Sequence, residues 1–171
     1  APVPLGETLL AGWLLSKGGI DSPKGMMTVA PTRPRDRIEF NADNTLTGQV
    51  FGIPFASISE NIAVIAHGSD DLHVALVAAK DCIITHNSGL SGDGRDTITL
   101  KQTPTLSSNK LPDDFSPQAL SLMGATVRAI QISGALQSIL TLATDYAQER
   151  VAFEKTISKF QAVQHNLAKL A

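Results

Sequence analysis

Apolar residues recur at two different spacings along this chain, and the change of spacing divides it. From Pro4 to Ile20, Leu5, Leu9, Trp13 and Leu15 fall at helical intervals with Thr8 and Gly12 among them. Gly18 and Gly19 supply a C-terminal stop, and Asp21 to Lys24 reads as a turn. One short helix cannot bury its own apolar side, so it is expected to pack against the residues that follow.

Between Met26 and Gln102 the period shortens. Runs rich in β-branched and aliphatic residues occur at Thr28-Val29, Arg37 to Phe40, Thr45 to Phe51, Asn61 to His67, Leu72 to Ala79, Cys82 to His86 and Thr97 to Lys101. Turn-forming residues separate them at Asn41 to Asn44, Gly68 to Asp71, Asn87 to Gly89 and Gly92 to Gly94. Short strands without intervening helices predict an antiparallel barrel or sandwich.

A polar stretch follows from Thr103 to Pro117, with Pro104, Pro112 and Pro117 around Ser107 to Asn109, and reads as a link or surface excursion. Ser116 then offers an N-cap and Pro117 a first-turn residue. No proline occurs beyond it. Leu120, Met123, Val127, Ile130, Ala135, Ile139, Leu142 and Tyr146 form a helical stripe that Leu136, Leu140 and Ala143 widen. A stripe that broad predicts a helix buried among others. After a break near Phe153 to Lys155, a second amphipathic helix is expected over Thr156 to Ala171. Two helices alone would expose much apolar surface, so further helices or another subunit are expected to cover them. The fold class is therefore α+β: an antiparallel β-barrel or sandwich followed by long helices of an all-α bundle.

Composition narrows the function classes. A chain of 171 residues, 43% hydrophobic and 18% charged, describes a folded globular protein. A net charge of -2 and a pI near 6.1 give no electrostatic footprint for nucleic acid or for a basic membrane-binding helix. The apolar start, Ala1 to Leu15, holds Pro2, Pro4 and Glu7 and has no positive n-region, so it reads as neither a leader nor a spanning helix. The chain begins and ends inside patterned sequence without an initiator methionine, which leads to the expectation of a fragment.

The single cysteine, Cys82, sits in an apolar run and is expected as a small core residue. It excludes paired-cysteine zinc sites and is compatible with a reducing compartment. His67, His73, His86 and His165 have no metal-ligand spacing, and no metal site is expected. Ser88, Ser91 and Asp93 with His86 could suggest hydrolysis, but no Gly-x-Ser-x-Gly elbow is present and loop serines are mostly turn formers. Walker and Gly-x-Gly-x-x-Gly patterns are absent.

The last stretch carries more information. Tyr146, Arg150, Phe153, Ile157, Phe160 and Gln161 resemble the acyl-CoA dehydrogenase pattern Tyr-x-x-x-Arg-x-x-Phe-Gly-x-x-Ile-x-x-Phe-Gln. Spacing and residue type agree except at Glu154, which stands in the glycine position. More weakly, the opening Ala1 to Leu15 and the segment Gly92-Asp-Gly-Arg-Asp96 resemble a bacterial branch of that family. The resemblance implies residues 1–20 as the end of an N-terminal helical domain and 26–103 as a middle β-barrel. It makes 104–116 a linker and 117–171 the first helices of a C-terminal bundle.

It also implies FAD as cofactor, held by Arg150, Ala152, Phe153, Phe160 and Gln161. Arginine would grip the pyrophosphate, Phe153 would wall the cofactor, and the Gln161 amide would meet its polar linker. Arg150 and Phe153, three apart, are expected on one side of a helix. The bland alternative is an ion-pair patch of Arg150 with Glu149 and Glu154, with Phe153 and Phe160 as core. In the family the flavin lies largely in the neighbouring subunit, so a homotetramer built as a dimer of dimers, or a heteromer, is implied. An acyl-CoA substrate, an electron-transfer flavoprotein or similar acceptor, and the bacterial cytoplasm are implied with it; nucleic-acid and membrane partners are not.

Two departures matter. Glu154 places a carboxylate beside the phosphate-gripping arginine. The catalytic glutamate, in the minority of members that carry it early, falls at about Gly124, and no acidic residue lies between Ala119 and Thr144. Segments flanking the flavin ring map only loosely, to Phe51 to Phe55. The expected function is FAD-dependent α,β-dehydrogenation of an acyl-CoA thioester, by a partial chain without its base. The alternatives are a non-catalytic flavin-holding or structural subunit of a heteromeric dehydrogenase, or a standalone binding module.

Overall fold

The computed structural model describes residues 3–33, 36–90 and 92–171. It divides into two compact units, 1–124 and 125–171. The first unit begins with α1 (Leu5–Lys17), which buries Leu10, Ala11, Leu14 and Leu15. Its end is a Schellman stop. Ile20 N–H donates to the Leu15 carbonyl at 3.1 Å and Gly19 N–H to Ser16 at 3.1 Å, with Gly19 at φ +66 where a side chain would be strained.

Eight strands follow: β1 (Met27–Val29), β2 (Ile38–Phe40), β3 (Thr45–Pro54), β4 (Asn61–His67), β5 (Leu72–Ala78), β6 (Ile83–Thr85), β7 (Arg95–Pro104) and β8 (Ser107–Lys110). They form one sheet in the order β6-β7-β3-β2-β4-β5-β8, with β1 alongside β4. The expected antiparallel arrangement holds for most pairs, but β1 and β2 both run parallel to β4, at Met27↔Asn61 and Glu39↔His67. The sheet is mixed, and its strand order is an open path.

The core lies on one face of this sheet: Leu46, Val50 and Ile53 of β3, Ile62, Val64 and Ala66 of β4, Ala75 and Val77 of β5, and Ile98 and Leu100 of β7. In β4 the intervening residues Ala63 and Ile65 are buried too, because α1 packs over β4 and β5. A strand covered on both faces shows a continuous apolar run, which is how Ile62 to Ala66 reads.

The turn signals work as expected. Between β2 and β3, Asn41 N–H donates to Thr45 at 2.9 Å, Asn44 takes φ +59, and Asp43 Oδ1 accepts from the Thr45 amide and hydroxyl. The stretch expected as a link, 104–116, contains a short strand. β7 runs to Pro104, and Ser107 to Lys110 form the edge strand β8 against Leu76 to His73 of β5. Its residues are polar because an edge strand has little to bury, so its pairing left no apolar signature.

The long helix α2 (Gln118–Glu149) begins in the first unit, where Ser116's carbonyl accepts from Ala119 N–H at 2.8 Å, and supplies most of the second. The second unit then has a hairpin of β9 (Val151–Ala152) and β10 (Lys155–Thr156), a 3-10 turn at Ile157–Lys159, and α3 (Gln161–Leu170). The expected helix over Thr156 to Ala171 is thus shorter, and the break before it is a hairpin. The α2 stripe, expected to be buried, is open. Ile130, Ile139, Leu142 and Tyr146 are each at least half exposed, whereas Leu120 and Ala147 are buried. By length and composition alone α2 is long and apolar enough to cross a membrane.

Two outcomes follow for the sheet. Ile98→Ala empties a site that is 0% exposed and is expected to cost about 2–5 kcal/mol, read from the urea midpoint. Cys82 packs against the core, its thiol directed to the Ala78 carbonyl at 3.6 Å. Burial, with a smaller push from Asp81, raises its pKa to about 11 from 9.0. Thiolate is the reactive form, so below pH 9 the folded thiol is expected to react with iodoacetamide roughly a hundredfold more slowly than the urea-unfolded chain.

Candidate functional site

In the second unit the five expected cofactor contacts fall on and around the hairpin. Arg150 stands just beyond α2, its N–H donating to Tyr146 at 2.9 Å and its carbonyl accepting from Ile157 N–H at 2.8 Å. Its side chain is exposed, and among the described residues it makes no ion pair with Glu149, Glu154 or any other acid. The ion-pair patch is therefore not formed.

Phe153 does not follow Arg150 along a helix, as the three-residue spacing had suggested. It is the first of two turn residues, Phe153 at φ +52 and Glu154 at φ +62. Two positive values between paired strands are the mark of a type I′ turn, which favours Asn-Gly. Ala152 lies in the strand, paired with Lys155 and half-buried. Phe153 is 87% exposed and touches Phe160 edge to face at 6.2 Å and 78°. The Lys155 ammonium sits 4.3 Å from the Phe160 ring centroid.

Phe160 precedes α3 and its carbonyl accepts from Val163 and Gln164 N–H, while Gln161 is the first residue of the helix and is exposed. Gln164 donates from Nε2 to the Ser158 carbonyl at 2.9 Å and so braces the 3-10 turn. The arrangement presents an unpaired guanidinium, an open aromatic ring and an open amide on one short segment. Those groups suit a ligand with a phosphate and a flat or apolar body.

The first unit holds features that the sequence did not single out. A cavity of about 560 Å³ has Ile38, Val50 and Ile65 in its wall and Arg33, Arg37 and His67 among its polar lining. Asp36 Oδ2 in that lining is buried without a hydrogen-bond partner. The only sequence signal was the charge-rich run from Arg33 to Arg37 ahead of β2. Asp96 is also new. It is 1% exposed, accepts from Ser57 N–H at 2.9 Å and Asn87 N–H at 3.3 Å, and faces His86 Nδ1 at 3.6 Å. It pins the turn after β3 to the loop between β6 and β7.

The remaining candidates lie in the first unit, where His86 and Ser88 line an open pocket with Asp96. His73 pairs with Asp71 at 2.9 Å and stacks on Phe40, and no group of three metal-binding side chains occurs among the described residues. Ser88 forms a backbone bridge with Gly94, His86 faces Asp96, and Ser91 lies outside the described residues. Of the loosely mapped Phe51 to Phe55, Phe51 is 46% exposed and Phe55 takes φ +55. A side chain at Gly124 would meet nothing within 4 Å.

Comparison with known proteins converges on one family. Residues 120–171 match the family model "Acyl-CoA dehydrogenase, C-terminal domain". No curated protein sequence matches the chain. Among solved structures, a chain of the ChsE4-ChsE5 complex from Mycobacterium tuberculosis is 22% identical with a TM-score of 0.78, covering 99% of this chain and 52% of that one. Glutaryl-CoA dehydrogenase from Mycobacterium smegmatis is 21% identical with a TM-score of 0.73, covering 97% and 51%. Butyryl-CoA dehydrogenase from Megasphaera elsdenii is 19% identical with a TM-score of 0.65, covering 85% and 45%. The chain spans about half the length of these structures. It has the fold of their middle and C-terminal domains, and its residues 120–171 match the model of the acyl-CoA dehydrogenase C-terminal domain.

Proposed function

We propose that this chain is the middle and early C-terminal part of an FAD-dependent acyl-CoA dehydrogenase, with the hairpin after α2 as its cofactor-holding element. One observation carries the reading. Arg150, in the segment that matches the family, stands exposed and unpaired although Glu149 and Glu154 are close in sequence. A guanidinium left open beside two carboxylates is available to a phosphate.

In this role Arg150 holds the pyrophosphate, Ala152 and Phe153 line the flavin, Phe160 backs Phe153, and Gln161 reaches the polar linker. Bound FAD, held by these residues, would supply the redox chemistry as a hydride acceptor. The chain's own contribution is to bind, orient and shield. The oligomer would be a dimer of dimers or a heteromer, since an exposed binding segment needs a neighbour to enclose a dinucleotide. An electron-transfer flavoprotein or similar acceptor, and a bacterial cytoplasmic setting, complete the proposal. One solved structure with the same fold is a glutaryl-CoA dehydrogenase from Mycobacterium smegmatis in complex with FADH2, which supports the cofactor assignment.

A second reading has its own support. Gly124 and the absence of acids from Ala119 to Thr144 leave that stretch of α2 without a candidate base, and Glu154 sets a negative charge on the hairpin. These favour a flavin-holding partner in a heteromeric dehydrogenase, and the ChsE4-ChsE5 structure is itself titled as a complex of two proteins.

Purified full-length protein is expected to show flavin absorbance, or to gain it on adding FAD. Absence of both would remove the cofactor reading. Turnover of acyl-CoA by the protein alone favours the enzyme, and turnover only with a co-purifying partner favours the subunit. Arg150→Ala is expected to weaken FAD binding roughly 10- to 100-fold, from loss of a charge-assisted contact. Arg150→Lys should recover part of this, and the wild-type affinity should fall with salt.

A further inference from the structure

We propose that the hairpin Val151–Thr156 is a conformational device, set by the ligand it holds; this rests on the reading that the ligand is a phosphate-bearing dinucleotide. Its turn consists of two non-glycine residues in the left-handed region, Phe153 at φ +52 and Glu154 at φ +62. Each lowers the population of the turn by a factor of about five to thirty relative to a residue that tolerates this conformation. Such strain persists only where the surroundings enforce it.

Within these 171 residues they enforce it weakly. The strands have two residues each, joined at Ala152↔Lys155 and Val151↔Thr156, with one flanking bond from Ile157 N–H to the Arg150 carbonyl at 2.8 Å. Burial adds little, because Val151 is 58% and Phe153 87% exposed. The other ties are the edge contact of Phe153 and the ammonium of Lys155, both on the Phe160 ring. Glu154 makes no ion pair among the described residues. A two-stranded hairpin of this kind is marginal in water.

The hairpin is also what fixes Arg150 relative to Phe153, through the Arg150–Ile157 bond at its base and the turn at its tip. The binding geometry is therefore populated only in part before the ligand arrives. A dinucleotide that contacts both side chains selects that geometry, and its apparent affinity is lowered by the unpopulated fraction. Glu154 is then the position that sets the fraction.

The test uses full-length protein with Glu154→Gly, Glu154→Asn, Glu154→Gln and Glu154→Val. It reads FAD affinity by flavin fluorescence titration and amide hydrogen exchange over residues 150–157 with and without FAD. Glycine and asparagine tolerate the left-handed region, so both are expected to tighten FAD about fivefold and to slow exchange before FAD is added. Glutamine removes the charge but keeps the strain, and should stay within about twofold of wild type. Valine should weaken binding and speed exchange. In wild type, FAD should slow exchange of the hairpin.

A glutamine variant that tightens FAD as much as the glycine variant would overturn the proposal, since the effect would then be electrostatic. So would a wild-type hairpin already protected without FAD and unchanged by glycine. If neither wild type nor the glycine variant binds FAD, the dinucleotide reading fails, and the ligand part of this proposal with it. The exchange ranking without FAD still decides whether the turn is strained.

Discussion

Strand β4 has no polar face. From Ile62 to Ala66 every side chain is buried, with Ile62, Val64 and Ala66 in the core cluster and Ala63 and Ile65 on the opposite face. Both faces must be covered, and the rest of the first unit is arranged around that demand. One face is met by β3, β5 and β7 as the sheet curls to bring their inward residues together, and α1 packs over the other. The parallel pairings of β1 and β2 follow from the same centrality, because both lie along one side of β4 at successive positions. Hydrophobic burial on this scale dominates the favourable terms in folding, so a strand wet on neither side is the natural centre of the fold.

The second unit is organised by the opposite condition. Its apolar residues are largely uncovered. Ile130, Leu142 and Tyr146 on α2 and Phe153 on the hairpin are all more than half exposed. Its order comes from helical hydrogen bonding along its part of α2 and from a short hairpin whose turn is conformationally costly. The groups that could bind a cofactor lie in this unit, on and around the hairpin. Ligand-binding elements are commonly drawn from the less stable parts of a structure, since they must rearrange or complete themselves on binding.

Glu154 links the two halves of the functional argument. In the sequence it is a change of charge, a carboxylate four residues beyond Arg150. In the structure it is first a matter of conformation, an L-residue with a side chain at φ +62. The electrostatic effect of an exposed carboxylate is softened by water and salt, whereas the steric cost of the left-handed region is not. That difference is why conformation is given the larger part here.

Much of this protein was legible from its residues. The alternation and apolar runs located α1 and the strands from β1 to β7, since burial of one or both faces leaves a period that can be read directly. The motif from Tyr146 to Gln161 pointed to the domain model that residues 120–171 match, because such side chains are set by chemistry at fixed intervals. What the residues did not carry was pairing without burial. The edge strand β8 is polar and is held by backbone bonds to β5, so it read as a link. The hairpin at Val151–Thr156 interrupts two helical patterns with backbone geometry alone, so Arg150 and Phe153 read as neighbours on a helix. The buried clamp at Asp96 and the orphaned oxygen of Asp36 depend on residues brought together from distant positions. Periodicity records what each residue buries, and only the tertiary structure decides which backbone groups and charges meet.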